Sequence, residues 1–220
     1  RATNERPVIA IDGPAGSGKS TLARALAAEL RLPYVNTGLM YRWVAARSLA
    51  DRIDVQDELA LARVAERAEF SLSEADVPEL LIGGGPPDAS LTASEVEDIV
   101  SAVSRHPRVR AVLRERQRAL GRNGCVMEGR DIGTVVFPDA DVKIFLSADP
   151  QVRVARRRLE RIGAASAAEA AVVERDARDH RTNPLEPAAD AIVLDSSRLG
   201  PDEVLGEALR LVRERVGTWR

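Results

Sequence analysis

Short apolar runs recur along the 220-residue chain, separated by longer stretches in which apolar positions follow a helical period. Val8-Ile9-Ala10-Ile11, Tyr34-Val35, Cys125-Val126-Met127, Val142-Lys143-Ile144-Phe145-Leu146 and Ala191-Ile192-Val193-Leu194 are too short for helices. They also lack strict alternation, as strands covered on both faces do. Helices are predicted over Lys19 to Leu30, 39–50 and 56–68. Ser94-Glu95-Val96-Glu97 reads as a capping box ahead of Val96, Ile99, Val100 and Val103, spaced i, i+3, i+4, i+7. Pro107 interrupts the pattern and an Arg-rich helix resumes over 108–120. Asp149-Pro150 starts a helix running to about Ile162, Ser166-Ala167-Ala168-Glu169 reads as a second capping box, and Gly200-Pro201 opens the last helix. Five strands alternating with helices predict an α/β fold, a parallel sheet with helices on both faces.

Residues 70–92 break this rhythm. Phe70-Ser71-Leu72-Ser73, Glu79-Leu80-Leu81-Ile82 and the turn Gly83-Gly84-Gly85-Pro86-Pro87 predict a small insert of two or three antiparallel strands.

The composition is that of an ordinary globular chain, 45% hydrophobic and 30% charged, with a net charge of −2. No basic field points to nucleic acid or to an anionic membrane surface. Cys125 is the only cysteine, which excludes an intrachain disulfide or a thiolate zinc site. No apolar run is long enough to span a bilayer and no signal-peptide pattern is present, so a cytoplasmic protein, a monomer without membrane or nucleic-acid partners, is expected. Of 32 basic residues only Lys19 and Lys143 are lysines. The bland account of so many arginines is a general composition bias, so position must decide which of them bind phosphate.

One lysine sits in a motif. Gly13-Pro14-Ala15-Gly16-Ser17-Gly18-Lys19-Ser20 matches G-x-x-x-x-G-K-[ST] at every fixed position, follows a strand and opens a helix. Glycines let backbone N–H groups converge on phosphate oxygens, and the helix N-terminus adds a favourable dipole. Lys19 is placed to reach the β- and γ-phosphates of ATP and the Ser20 hydroxyl to ligate Mg²⁺, so Gly13 through Thr21 is the candidate ATP site of a P-loop NTPase fold. No Asn-Lys-x-Asp base-reading motif follows, which argues against a GTPase switch and for a small-molecule kinase.

The acceptor side is expected near strand ends. Asn36-Thr37-Gly38-Leu39-Met40-Tyr41-Arg42 puts Thr37 and Tyr41 on one helix face. Glu128-Gly129-Arg130-Asp131 follows a buried strand, where Arg130 can grip a phosphate and Asp131 read a donor on the ligand. Arg153, Arg156, Arg157 and Arg158 share one helix, and Arg175 and Arg178 share a face of the next at i, i+3, as do Asp176 and Asp179. Two Arg-bearing helices joined near Gly163 suggest a short helical lid. The expected organisation is a single domain over 7–220: a core of 7–69, 93–149 and 183–220, an insert at 70–92 and a lid at 150–182.

Taken together the chain resembles the bacterial cytidylate kinases. The string Gly129-Arg130-Asp131-Ile132-Gly133-Thr134-Val135-Val136-Phe137-Pro138-Asp139-Ala140, followed by Lys143-Ile144-Phe145-Leu146, is the most specific stretch. Ile11-Asp12-Gly13-Pro14, Pro107-Arg108-Val109-Arg110, Arg175-Asp176, Arg178-Asp179 and Ala188-Ala189-Asp190-Ala191 also fit, so the likeness covers about residues 7–215. It implies a nucleoside monophosphate kinase fold that moves the γ-phosphoryl group of ATP to CMP or dCMP. It further implies that Thr37, Tyr41, Arg42, Ser101, Arg110, Arg130 and Asp131 contact the monophosphate nucleotide, joined by Asp179 and Arg181, and that Arg153, Arg157 and Arg178 serve the lid. Two departures stand out. Thr182 occupies the place where the family has an arginine, with Arg181 one residue earlier and a shortened loop to Pro184-Leu185. The insert's end, Asp88-Ala89-Ser90-Leu91-Thr92, is also short. The rival readings are a kinase for UMP, AMP or shikimate, and a non-catalytic ATP-binding module.

Overall fold

The computed structural model describes residues 6–160 and 185–217. All five strand expectations hold. β1 (Val8–Asp12), β2 (Tyr34–Asn36), β5 (Cys125–Gly129), β6 (Val142–Ser147) and β7 (Ile192–Asp195) form one parallel sheet in the order β2-β5-β1-β6-β7. Successive side chains of a strand point to opposite faces. Ile9, Ile11 and Val126 therefore pack against α1 (Lys19–Leu30) and the C-terminal helix α7 (Pro201–Val216). Ala10, Cys125 and Met127 pack on the other face with Val35, Ile132 and Val136. Helical cover on one side and packed chain on the other is why the strand sequences read as unbroken apolar runs.

A second core lies beyond the sheet. Met40, Val44, Leu61, Val64, Val100, Val103, Val109 and Leu113 join α2 (Thr37–Ala50), α3 (Glu58–Arg67), α4 (Ser94–Val103) and α5 (Pro107–Gly121). Local chemistry sets most of the boundaries. Asn36 caps α2 by accepting from Leu39 N–H at 3.3 Å, and Asp57 caps α3 by accepting from Ala60 N–H at 2.9 Å, so these helices begin two residues away from their predicted starts. Pro107 takes the first position of α5. At the other end, Gly200 N–H donates to Glu203 Oε2 at 2.7 Å and starts α7.

The capping box at Ser94 does not form. The helix already begins at Ser94, with Ala93 as its cap, and Ser94 Oγ turns to Glu95. Glu97, the expected partner, instead pairs with Arg42 of α2 at 2.8 Å. A buried cation is a stronger draw for a carboxylate than an exposed helix end. The helix from Pro150 (α6, Pro150–Glu160) is present, whereas the second capping box, Gly163 and the second lid helix lie outside the described residues.

The insert has two strands, β3 (Phe70–Leu72) and β4 (Leu80–Ile82), antiparallel with Ser71 opposite Leu81. The third possible strand reduces to one bridge, Ile82 to Gly85, because the glycine turn folds straight back on β4. Leu80 is buried in the helical core, Phe70 meets Trp43 edge-on at 6.2 Å, and Pro78 C=O accepts from Tyr34 N–H at 2.8 Å. The insert thus has no core of its own. Leu80→Ala should cost about 2–5 kcal/mol. Urea denaturation followed by both circular dichroism and tryptophan fluorescence should show one shared, shifted transition, and a separate early transition would contradict the shared core.

Candidate active site

The chain leaves β1 through a loop with little room. A Cβ on Gly13 would lie 2.2 Å from Leu146 O of β6, so the loop starts against the neighbouring strand. Gly16 and Gly18 take left-handed conformations (φ 74° and 92°), the second capping α1. Lys19 Nζ donates to Pro14 O at 2.8 Å, and Ser17 is fully buried within the loop.

β5 lies beside β1 with Glu128 opposite Ile11 and Gly129 opposite Asp12. This register delivers the Glu128 carboxylate to the start of α1, where it accepts from Ser20 Oγ at 2.9 Å. Its other oxygen accepts from Tyr34 Oη at 2.5 Å. Burial, with the Glu128 charge beside it, pushes the Tyr34 hydroxyl well above its ordinary pKa. Thr37 Oγ1 donates to Glu128 C=O at 2.8 Å, closing the corner between β2 and β5. Gly129 has to be glycine here, since a Cβ would sit 2.7 Å from both Thr37 Oγ1 and Ile132 Cδ1.

After Gly129 the chain makes a wide turn over Ile132–Val136, closed by Val136 N–H to Asp131 O and Phe137 N–H to Ile132 O, each reaching five residues back. Asp12, at the end of β1, holds its start. The two carboxylate oxygens accept from Ile132 N–H and Gly133 N–H, both at 2.8 Å. Burial is the main cause that lifts the Asp12 pKa to about 6. The two N–H donors oppose it, the nearby Asp131 adds to it and Lys19 opposes it.

On the facing wall Arg110 of α5 is ion-paired with Asp131 through its Nη2, and its Nη1 donates to Ser104 O at 3.4 Å. Buried Arg42 donates to Leu91 O at 3.1 Å and to Glu97. Tyr41 lies near Arg110 and Asp131, and burial above all pushes its hydroxyl up to about 12.

These pieces enclose one cavity of about 310 Å³ at the C-terminal ends of the strands. Its walls bring together Ala15, Gly16, Gly18, Lys19, Ser20 and Thr21 on the loop side with Thr37, Tyr41, Arg42, Ser101, Arg110, Arg130 and Asp131 on the other. Arg153 does not reach it. Its guanidinium donates to Ala148 O and, at 3.2 Å, to Ala15 O of the loop. Arg157 falls on α6, while Arg178, Asp179 and Arg181 lie outside the described residues. Sequence reasoning passed over Asp12 and Glu128 as site residues. The available signal was an acidic residue ending a buried apolar run, a placement that proteins rarely tolerate without a partner or a task.

A triphosphate-shaped loop facing an arginine-lined pocket across one cavity is the arrangement of an ATP-dependent phosphotransferase acting on a small acceptor. The comparisons with known proteins narrow the class. The model of the cytidylate kinase family matches residues 9–214. The cytidylate kinase of Streptomyces avermitilis is 42% identical over 215 residues, covering 94% of this chain and 93% of its own. That of Desulfitobacterium hafniense is 43% identical over 218 residues, covering 96% and 94%. The crystal structure of an uncharacterized protein from Eubacterium ventriosum superposes with a TM-score of 0.51 at 14% identity, covering 96% of this chain and all of that one, a likeness of fold alone. The chain belongs to the cytidylate kinase family. No helix among the described residues is long and apolar enough to cross a membrane.

A carboxylate whose folded pKa exceeds its unfolded value of 3.8 binds its proton more tightly in the native state. Its contribution is therefore most favourable at low pH and is lost as pH rises from about 4 to 6. Asp12→Asn removes that titration. Urea unfolding from pH 3.5 to 7.5 should show the stability of the parent falling relative to Asp12→Asn by about 3 kcal/mol across this window. Parallel curves would show that Asp12 ionises normally.

Proposed function

We propose that this chain transfers the γ-phosphoryl group of ATP to CMP or dCMP, giving ADP and CDP or dCDP. The observation that carries the reading is the single cavity joining the P-loop to the Arg110–Asp131 pair. An oxygen of the acceptor phosphate attacks the γ-phosphorus in line, and the bond to the β–γ bridging oxygen breaks as ADP leaves. Lys19, which in this structure rests on the loop's own Pro14 carbonyl, exchanges that acceptor for the phosphates and follows the charge that develops on the bridging oxygen. The loop N–H groups and the start of α1 hold the β-phosphate.

Ser20 Oγ and the Glu128 carboxylate are hard oxygen donors already 2.9 Å apart, which suits Mg²⁺. Bound there, the ion would neutralise charge on the β- and γ-oxygens. On the acceptor side Arg42 and Arg130 take the monophosphate. Thr37 and Tyr41 shape the pocket between them, and Ser101, Arg110 and Asp131 take the base. The Asp131 carboxylate accepts from the cytosine amino group, while Arg110 donates to the ring's acceptor edge. Their ion pair holds both groups in place before the nucleotide arrives. Residues 150–182, with Arg157 and Arg178, are the lid of this reading, and Asp179 and Arg181 complete the acceptor site. The protein works as a cytoplasmic monomer on free nucleotides.

Lys19→Ala should lower kcat by about 10²–10³-fold, as the loss of one preorganised charge-stabilising group does. A folded variant keeping more than half of the parent kcat in a coupled ADP-release assay would remove Lys19 from the chemistry. The base reading makes a separate demand. Uracil presents a carbonyl oxygen where cytosine presents its amino group, so Asp131 and UMP would set two acceptors face to face. Asp131→Asn should reduce kcat/KM for CMP by about 10–100-fold, equivalent to about 1–3 kcal/mol, and narrow the CMP-to-UMP ratio, because an amide can donate to the uracil oxygen. If kcat/KM for both nucleotides fell by the same factor, Asp131 would only be orienting Arg110.

A further inference from the structure

The phosphate loop is held from behind as well as from within. Ser196, in the turn after β7, is almost completely buried (2% exposed). Its backbone N–H donates to Ser147 O at 2.9 Å, fixing the turn to the end of β6. Its hydroxyl accepts from Arg156 Nη1 at 2.9 Å, and its single proton lies between Ser17 O and Ser147 O, each 3.0 Å away. Arg156, on α6, donates from Nη1 to Ser17 O at 3.1 Å as well, and from Nη2 to Ser196 O at 2.8 Å. The Ser17 carbonyl therefore receives two donors from outside the loop. One turn earlier on α6, Arg153 makes the matching bond to Ala15 O.

The consequence follows from peptide geometry. In a trans peptide the N–H points opposite to the preceding C=O. Drawing the Ser17 and Ala15 carbonyls back toward α6 turns the Gly18 and Gly16 N–H groups the other way, toward the cavity that both glycines line. Contacts leave little freedom to undo this: a Cβ on Gly16 would lie 2.8 Å from Arg153 O. Neither of these N–H donors can tilt away from a phosphate without breaking a bond to a guanidinium.

We infer that Arg156 and Ser196 are positioning residues of the phosphate-donor site, which aim the loop's N–H groups at the nucleotide by clamping the Ser17 carbonyl. The clamp rests on the loop being the ATP site, and it makes no demand on the acceptor. It also joins α6, the first lid helix of the reading above, directly to the loop, so a shift of α6 on nucleotide binding would be felt by the phosphate cradle.

The test compares Arg156→Ala, Arg156→Lys and Ser196→Ala, with ATP binding measured by calorimetry without CMP and KM measured for both nucleotides. Arg156→Ala should weaken ATP binding about tenfold, as the loss of a charge-assisted hydrogen bond does. KM for CMP should stay within about twofold of the parent, in line with the separate acceptor wall. Arg156→Lys should recover some of the loss. Ser196→Ala, the milder change, should weaken ATP in the same selective way, and it decides the matter if Arg156→Ala does not fold. A loss confined to the Arg156 variants would mean that Arg156 touches the nucleotide itself and would overturn the clamp. Equal losses for ATP and CMP, or unchanged ATP binding in folded variants, would overturn it too. Failure of CMP turnover with normal ATP binding in the parent protein would count against the acceptor assignment and leave the clamp standing.

Discussion

The site depends first on a buried carboxylate. Asp12 ends the central strand, and its two bonds to Ile132 and Gly133 N–H fasten the turn that bears Arg130 and Asp131 to the strand that launches the phosphate loop. The strand register makes this possible, since Asp12 lies opposite Gly129 on one side and Phe145 on the other. Burying a carboxylate there is costly, as its raised pKa records. The arrangement persists because two backbone donors at the mouth of the turn would otherwise face a dry interior. A one-residue slip of β1 against β5 would separate the phosphate loop from the turn that follows β5.

Glu128 has the corresponding role on the neighbouring strand. It joins Ser20 on α1 to Tyr34 on β2, while its backbone carbonyl anchors Thr37. Two acids at the C-terminal ends of adjacent strands thus organise the loop, the turn and the start of α2. The sheet's hydrophobic faces supply the rigidity against which these few polar bonds are made.

One wall of the cavity carries paired arginines. Arg42 with Glu97 and Arg110 with Asp131 each bring a guanidinium to the cavity already oriented by a carboxylate, the first buried and the second partly so. Pairing keeps a buried charge tolerable and removes rotamer freedom before a ligand binds. The same pairs tie α2 to α4 and α5 to the turn after β5, so the cavity wall and the helix packing share their contacts.

Much of this was legible in the chain. The five strands announce themselves as short apolar runs because both faces of the sheet are covered, and the phosphate loop because backbone N–H groups can surround a phosphate only where glycines permit it. The family likeness singled out Thr37, Tyr41, Arg110, Arg130 and Asp131, and the fold gathers them around one cavity. The bonds between segments could not be read. Asp12 and Ile132 are 120 residues apart and Ser20 and Glu128 are 108 apart. Only the strand order β2-β5-β1-β6-β7 and its register bring them together. The same limit explains Ser94, whose capping box lost Glu97 to Arg42. There a local pattern offered one partner for Glu97 and the folded chain supplied a better one in Arg42, 55 residues away. Local spacing determined the elements and the loop chemistry, whereas the partners of Asp12, Arg42, Arg110 and Glu128 were chosen by tertiary structure, since a desolvated charge takes the nearest strong partner whatever its place in the chain.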